Sequence, residues 1–298
     1  MFVVKYRKIF YAFSVVLMVV SIGAVAVFGL QYGIDFKGGS LLEVKYETAR
    51  PDKVTVENLL APLKVGASVR PTGEAGYLIR MNSLTQPERE NVLRALSQTS
   101  KAQEVRFDSI GPVLGKEAAR NAYASITLVL IAIVLFVAYA FRQVSEPVSS
   151  WKYGFVAVIA LLHDVIIPTG VFAILGHYLG YEVDTLFVTA LLVVLGFSVH
   201  DTIVVFDRVR ENLRHGKRED FETTVGRSVS QTFARSINTS FTTLLALIAL
   251  YVFGGEGTHH FSLALIIGIA AGTYSSIFIG SPLLVTLQKW QDRKRKNK

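Results

Sequence analysis

The stretch LGFSVHDTIVVFDRVRENLR, residues Leu195–Arg214, begins inside a long apolar run and ends among charged side chains, with His200 and Asp201 partway along. A carboxylate inside a membrane-spanning helix costs about 3 kcal/mol on insertion scales. Such a residue usually faces the interior of a helical bundle and serves an ion or proton pathway. That use of Asp201 requires the surrounding chain to be a membrane protein.

The composition is typical of a membrane protein, with 51% hydrophobic residues in a chain of 298 and a mean hydropathy of +0.42. Several runs approach the ~20 apolar residues that cross a bilayer. We predict six transmembrane helices, the first an uncleaved anchor, despite a sequence at Ala24–Ala26 that resembles a signal-peptide cleavage site. The predicted helices are Ile9–Leu30, Tyr123–Phe141, Tyr153–Leu175, Val183–Phe206, Ser236–Phe253 and Phe261–Leu287.

The basic residues predict the orientation, because cytoplasmic segments of membrane proteins are enriched in Lys and Arg. The short loops near Gly176–Glu182 and Gly254–His260 contain neither. We therefore expect both termini in the cytoplasm, and the net charge of +8 to reflect membrane lipids rather than nucleic acid. The predicted inside positions are Lys5, Arg7, Lys8, Arg142, Lys152, Arg208, Arg210, Arg214, Lys217, Arg218, Arg227, Arg235, Lys289, Arg293, Lys294, Arg295, Lys296 and Lys298.

One soluble stretch, 31–121, is long enough to be an extracytoplasmic domain. Its pattern reads strand, helix, strand, strand, helix, strand, the order of a ferredoxin-like α+β domain. Thr85 and Glu88 have the spacing of a helix-capping box. The residues 111–122 read as an amphipathic lead-in to the second transmembrane helix.

The remaining segments complete the predicted organisation. The N-terminus and first helix occupy 1–30, the other five helices 122–288, and a basic tail 289–298. A charged inner loop, 207–234, is periodic enough for short helices along the membrane surface.

Several kinds of chemistry are excluded by what the sequence lacks. There is no cysteine, so no disulfide or thiolate metal site can form. There is no Walker A loop, no HExxH and no GxSxG motif. We therefore expect no cofactor, no metal and no enzymatic activity.

Two carboxylates are candidates for a proton pathway, Asp164 in the third predicted helix and Asp201 in the fourth, and each follows a histidine, His163 and His200. An imidazole could relay protons or could simply be a hydrogen-bonded interior side chain. Pro168 follows Asp164, so that site could instead be a helix kink. Helical spacing puts Asp201 on a polar stripe, whose other members are Ser198 and Thr202.

Arg235 opens the fifth predicted helix as a partner of opposite charge, followed by a second polar stripe of Asn238, Thr239 and Thr242. A carboxylate beside a guanidinium stays ionised, whereas an isolated one in a low dielectric takes up a proton. A pair whose separation changes with conformation would couple proton passage to movement. The alternatives are a static ion pair that locks the bundle and an Arg235 that reaches out to the membrane interface.

The sixth predicted helix has a small residue at every fourth position, including Gly268, Gly272 and Ser276. Such a ridge lets a neighbouring helix approach closely. We predict helix packing there and no chemistry.

Five segments together resemble the SecD/SecF family of protein-export membrane proteins, which belongs to the resistance-nodulation-division (RND) superfamily. They are GIDFKGGS after the first helix, LLHD in the third, GFSVHDTIVVFDRVRENLR across the fourth, QTFARSINTSFTTLL at the fifth and GTYSSIFIGSPLL in the sixth. The resemblance implies six helices with an outward domain, half of a pseudo-symmetric bundle whose other half is SecD.

The resemblance also implies a location in the inner membrane of a bacterium and a function in the Sec pathway. The family works with the SecYEG channel and uses the proton-motive force to pull translocating precursor polypeptides outward. The expected partners also include YajC and YidC. Its proton-pathway Asp and Arg correspond to Asp201 and Arg235. Family members often have Asn where this chain has His200, which leaves the local proton route open.

Three other functions remain as alternatives at the level of the sequence. An intramembrane aspartyl protease could use Asp164 and Asp201, although the motif context of such enzymes is missing. An RND-type exporter of small molecules or lipids would need a substrate pocket in the outward domain. The chain could also be a passive scaffold for SecD.

Overall fold

The computed structural model describes residues 2–141, 150–215 and 219–296. Within that range the chain forms two compact units, one of Met1–Gln31 with Ala124–Lys298, and one of Tyr32–Tyr123. Four of the basic residues used for the orientation, Arg142, Lys217, Arg218 and Lys298, lie outside the described residues.

The first unit is a helical bundle. Its described part has six helices that are long and apolar enough to cross a membrane, as predicted. The last of them is interrupted by one π-helical turn, Ser276–Gly280. The helices are α1 (Phe2–Lys5), α2 (Arg7–Phe28), α6 (Pro112–Ala140), α7 (Ser150–Leu179), α8 (Thr185–His215), α9 (Phe221–Phe253), α10 (Glu256–Ser275) and α11 (Ser281–Lys296), and the other unit supplies α3 to α5.

The charged inner segment differs from the prediction. The structure has no separate short helices in its described residues between 207 and 234, because α8 continues to His215 and α9 already begins at Phe221. Once a helix has formed, each further residue adds a hydrogen bond, so charged residues extend it unless a breaker intervenes. The Asp220 side chain accepts a hydrogen bond from the Thr223 N–H and so caps the start of α9.

Small residues set the packing inside the bundle. Helix α10 packs against α7, α8 and α9, and α2 packs against α7. A Cβ atom at Gly268 would lie 2.3 Å from Val194 Cγ2, and one at Gly170 would lie 2.3 Å from Ser21 Cβ. The predicted close approach at Gly268 is therefore present, and α8 is the helix that uses it.

The second unit is a four-stranded antiparallel sheet with helices on one face. Strand order is β2-β3-β1-β4, which together with the chain order βαββαβ is the ferredoxin-like arrangement that the sequence predicts. The elements are α3 (Ile34–Lys37), β1 (Gly39–Tyr46), α4 (Lys53–Leu60), β2 (Ser68–Thr72), β3 (Gly76–Met81), α5 (Gln86–Leu96) and β4 (Ala102–Ile110).

The core of the second unit follows from strand alternation. Alternate residues of β1, namely Leu42, Val44 and Tyr46, are buried and pack with Ile79 of β3 and Leu96 of α5. The residues between them in β1 are partly or fully exposed, so one face of the sheet carries the core.

We predict that the capping box of α5 makes the stability of the second unit depend on pH. The Thr85 backbone N–H and hydroxyl donate to Glu88 Oε2 at 2.8 and 2.7 Å, and these bonds lower the pKa of Glu88. The stabilisation is present above the unfolded-state pKa of about 4.3 and is lost as the pH falls through the lowered folded-state value.

Thermal unfolding of the full chain and of Glu88→Gln between pH 7 and pH 3 measures this effect. The difference in midpoint should be largest near neutral pH and should close in acid, while Glu74→Gln, an exposed control, shows no such difference. A gap that widens as the pH falls would contradict the assignment.

A second prediction concerns the glycine ridge. Alanine at an open helical site gains up to about 1 kcal/mol over glycine, so Gly196→Ala, with no atom within 4 Å of the added Cβ, should be neutral or stabilising. Gly268→Ala should lower the free energy of unfolding by about 1–3 kcal/mol because Val194 must move. The free energies of unfolding of both variants, measured in the same detergent, test this difference. Equal effects would mean that the ridge is not tightly packed.

Candidate functional site

The bundle buries two carboxylates, and the first of them is fully enclosed by hydrogen-bond donors. Asp164 on α7 has no exposed surface. Its Oδ2 accepts hydrogen bonds from the Ser198 hydroxyl of α8 at 2.5 Å and from the Ser275 hydroxyl of α10 at 2.8 Å. His163 Nδ1 lies 2.9 Å from Asp164 Oδ1. Three helices therefore meet at this one side chain.

The local sequence makes room for this cluster. A Cβ atom at Gly272 of α10 would lie 3.0 Å from Ser198 Cβ and 3.5 Å from Asp164 Oδ2, so glycine there lets α10 reach the carboxylate. Pro168, four residues after Asp164 in α7, has no N–H to give to the Asp164 carbonyl. The ring of His163 lies roughly parallel to that of Tyr274, with the ring centroids 6.1 Å apart.

The second carboxylate is held much less completely. Asp201 on α8 is 8% exposed, and its Oδ1 accepts one hydrogen bond, from the Ser236 hydroxyl of α9 at 2.5 Å. Its Oδ2 is buried without a hydrogen-bond partner among the described residues. A buried, half-satisfied carboxylate is costly to keep ionised, so this oxygen is a place where a proton can bind.

The expected ion pair between Asp201 and Arg235 is not formed in this structure. Arg235 lies on the exposed face of α9, and no ion pair joins it to Asp201 within the residues that the structure describes. The next residue, Ser236, faces α8 instead, because successive residues of a helix are about 100° apart around its axis.

The polar stripe that begins at Arg235 also faces outward. Asn238, Thr239 and Thr242 are all exposed on α9, whereas Ser236 and Ser240 are buried. Sequence reasoning missed these two serines, although their i, i+4 spacing in SINTS was a signal for a second, inward-facing stripe. Ser240 accepts a hydrogen bond from Thr273 of α10 at 2.6 Å.

The stripe on α8 is buried along its whole length. Ser198, Asp201 and Thr202 are each at most 8% exposed. Thr202 Oγ1 lies 2.8 Å from Ser276 Oγ, and the Ser276 hydroxyl is 3.3 Å from the Ser198 carbonyl. Ser276, which the sequence predicts as a packing residue, therefore also bonds to the stripe.

The π-helical turn and His200 complete the surroundings of the stripe. The turn that starts at Ser276 widens the helix where it meets α8, and such turns often occur at functional sites. His200 is exposed, on the opposite side of α8 from Ser198. Whether His163 or His200 relays protons stays a prediction.

No group of three or more His, Asp or Glu side chains that could hold a metal ion occurs in residues 2–141, 150–215 and 219–296. What the site can do with its own side chains is to bind and release protons. Hydroxyls and imidazoles supply the donors and acceptors that such a transfer needs.

Two family models match the chain. One, described as "Protein export membrane protein SecD/SecF, C-terminal", matches residues 90–290. The other, described as "SecD/SecF GG Motif", matches residues 23–49. Between them the two models cover the helical bundle from the later part of α2 onward, and both the start and the end of the sheet-bearing unit.

The chain is similar along nearly its whole length to curated relatives. The protein translocase subunit SecF of Thermobaculum terrenum is 41% identical over 98% of this chain and 94% of the relative. The SecF subunit of Anaerolinea thermophila is 39% identical over 94% of this chain and 91% of the relative.

Two solved structures are similar as well. The crystal structure of SecDF from Thermus thermophilus, a translocon-associated membrane protein, matches with a TM-score of 0.83 and 31% identity over 96% of this chain. SecDF in its super-membrane-facing form matches with a TM-score of 0.66. This chain spans only 38% and 39% of those two longer chains.

We predict that the two carboxylates contribute differently to stability. Asp164→Ala should lower the free energy of unfolding by at least about 2 kcal/mol, because buried donors on α8 and α10 lose their acceptor. Asp201→Ala should change it by no more than about 1 kcal/mol, since a single hydroxyl loses its acceptor. Unfolding in detergent measures both, with the exposed Asp207→Ala as control; equal losses for both buried acids would contradict the contrast.

Proposed function

The chain belongs to the SecD/SecF family of protein export membrane proteins, and from that membership we propose that it couples proton movement across the membrane to polypeptide export. The observation that carries the proposal is Asp201, a buried carboxylate with one hydrogen bond and one oxygen that has no partner among the described residues. Such a group can take up a proton in one conformation and lose it in another. A carboxylate that accepts hydrogen bonds from two helices and contacts a histidine, as Asp164 does, is better suited to holding helices together.

Arg235 supplies the charge that would switch Asp201. It cannot lose its own proton, and it lies on α9 next to Ser236, the residue that already bonds to Asp201. A rotation of α9 about its axis, toward the roughly 100° that separates successive helix positions, would exchange the serine hydroxyl for the guanidinium. The approach of Arg235 would expel the proton from Asp201, and its withdrawal would let a proton return.

A second membrane subunit is the proposed cover for the outer face of α9. Arg235, Asn238, Thr239 and Thr242 are exposed on a helix that is apolar enough to span a membrane, and polar side chains there are costly in contact with lipid tails. The SecDF chain from Thermus thermophilus is much longer than this chain, which spans 38% of it. We infer that a SecD subunit supplies the missing half and covers this face.

The wider assignments follow from the same membership. The proposed location is the inner membrane of a bacterium with both termini in the cytoplasm, and the proposed clients are secreted polypeptides leaving the SecYEG channel. YajC and YidC are further proposed partners. The sheet-bearing unit, outside the membrane in this orientation, would contact the client.

The alternative functions receive less support. A protease would need two carboxylates that share a proton, and the hydrogen bonds of Asp164 and Asp201 instead go to separate sets of side chains. An RND-type exporter would need a substrate pocket in the sheet-bearing unit, whereas the cleft of about 630 Å³ that the structure describes lies in the helical bundle. A passive scaffold would not explain a buried carboxylate with an unsatisfied oxygen.

We predict that Asp201→Asn and Arg235→Met remove the stimulation of export by a proton gradient without loss of assembly. The amide of asparagine cannot be ionised, so Asp201→Asn removes the proton-binding group. Methionine carries no charge, so Arg235→Met removes the cation that would expel the proton. Translocation of a secreted precursor into vesicles, with and without the gradient, measures the effect. Co-purification with SecD checks assembly.

Matched controls are Asp207→Asn on the same helix as Asp201 and Arg293→Met at the other end of the chain, both exposed. They should keep gradient-stimulated export. Normal stimulation in Asp201→Asn would refute the proton role, and loss of SecD from the purified complex would favour the lock or scaffold interpretation.

A further inference from the structure

The helical bundle has a cleft at the end where two of its spanning helices begin. Its volume is about 630 Å³, within the range of small-molecule sites. One wall is the N-terminal segment that joins α1 to α2, and the other is the start of α9. The charged and hydroxyl side chains in its lining are Lys5, Arg7, Lys8, Asp220, Glu222 and Thr223.

The position of the cleft fits the headgroup layer of a bilayer. Arg7 is the first residue of the spanning helix α2, and Phe221 is the first of α9. Basic residues that directly precede an apolar run, as Lys5, Arg7 and Lys8 precede the run that begins at Ile9, lie at the polar interface of a membrane. The contact between Arg7 and Glu222 places the start of α9 beside them. A ligand in the cleft would therefore lie at the depth of phospholipid phosphates.

The charges of the cleft leave a surplus of cations. Three basic side chains face two carboxylates, and three minus two leaves one positive charge. Glu222 is already engaged, because Arg7 contacts its Oε1 at 2.5 Å and Lys289 contacts its other oxygen. Lys5 and Lys8 form no ion pair with any residue that the structure describes. With Lys289 also on Glu222, the surplus of positive charge favours an anionic ligand.

The start of α2 also favours an anionic ligand. Acidic residues normally compensate the positive end of a helix dipole, but the first turn of α2 has none, and the side chain of its N-cap residue Tyr6 makes no capping hydrogen bond. The sequence places Arg7 and Lys8 there instead. A phosphate at this end would meet both the dipole and the lysines.

An apolar track leads away from the cleft along α2. Ile9, which lines the cleft, is followed on the same helix face by Phe13, Val16 and Val20, and each is more than half exposed. Acyl chains attached to a headgroup in the cleft would run along this track.

From these features we propose that the cleft between the start of α2 and the start of α9 binds an anionic phospholipid, with Lys5 and Lys8 contacting its phosphodiester and the exposed face of α2 contacting its acyl chains. The bound lipid ties the N-terminal segment to α9, the helix that carries Ser236 and Arg235. This site goes beyond proton coupling, and its occupancy does not depend on Asp201.

Native mass spectrometry of the detergent-purified full chain tests the proposal, with dioleoyl-phosphatidylglycerol and dioleoyl-phosphatidylcholine titrated separately. The first phosphatidylglycerol should bind about tenfold more tightly than phosphatidylcholine, and Lys5→Ala with Lys8→Ala should abolish that preference. Lys5→Arg with Lys8→Arg should keep it. The control pair Lys116→Ala and Arg120→Ala, exposed cations outside the cleft, should also keep it.

A second measurement uses the unaltered protein, so it does not depend on how the variants fold. Phosphatidylglycerol with a photoreactive headgroup should label peptides that contain residues 2–9 or 219–223. Labelling confined to other peptides would overturn the proposal. So would a preference that survives loss of both lysines, or equal binding of zwitterionic and anionic lipid. Asp201→Asn should bind phosphatidylglycerol normally, which separates failure of this site from failure of proton coupling.

Discussion

A carboxylate taken out of water must receive hydrogen bonds from the protein or bind a proton, and this bundle meets that requirement in two different ways. Asp164 receives donors from its own helix and from two neighbours, so α7, α8 and α10 are joined at one point. Asp201 receives a single donor from α9. The hydrogen bonds of Asp164 oppose movement of α7, α8 and α10 relative to one another, whereas the single hydrogen bond of Asp201 lets α9 exchange its contact with the carboxylate.

The packing of the helices agrees with this division. Glycine at 268 and 272 brings α10 against α8 so closely that a methyl group would collide with Val194 or press on Ser198. The first turns of α9 pack Phe221, Val225 and Val229 into the apolar core. Around Ser236 and Ser240 the helix meets its neighbours through hydroxyls, and it presents Arg235 and Asn238 outward. A helix segment held by small hydroxyl contacts can turn at lower cost than one interlocked by glycines. The element proposed to move is therefore the one that carries the switching charge.

The sequence predicts the fold well because the relevant signals are local or additive. Membrane spans depend on summed hydropathy over about 20 residues, and the sheet-bearing unit depends on strand alternation and a capping box, so Thr85 and the strand order could be anticipated. The hydrogen-bond partners of the two buried carboxylates could not be anticipated from the sequence. Ser275 lies 111 residues from Asp164 in the chain, and Ser236 differs from Arg235 by one position. Charge attraction alone predicts Arg235 as the partner of Asp201. The orientation of α9 about its axis instead directs Ser236 toward Asp201.

The most direct test of the account is the distance between the Asp201 carboxylate and the Arg235 guanidinium in structures of the complex with SecD, determined in two conformations. The account predicts an ion pair, with the groups within about 4 Å, in one conformation and a clear separation in the other, with Ser236 bonded to Asp201 only in the separated state. The same distance in both conformations, or an Arg235 that points into lipid in each, would contradict it.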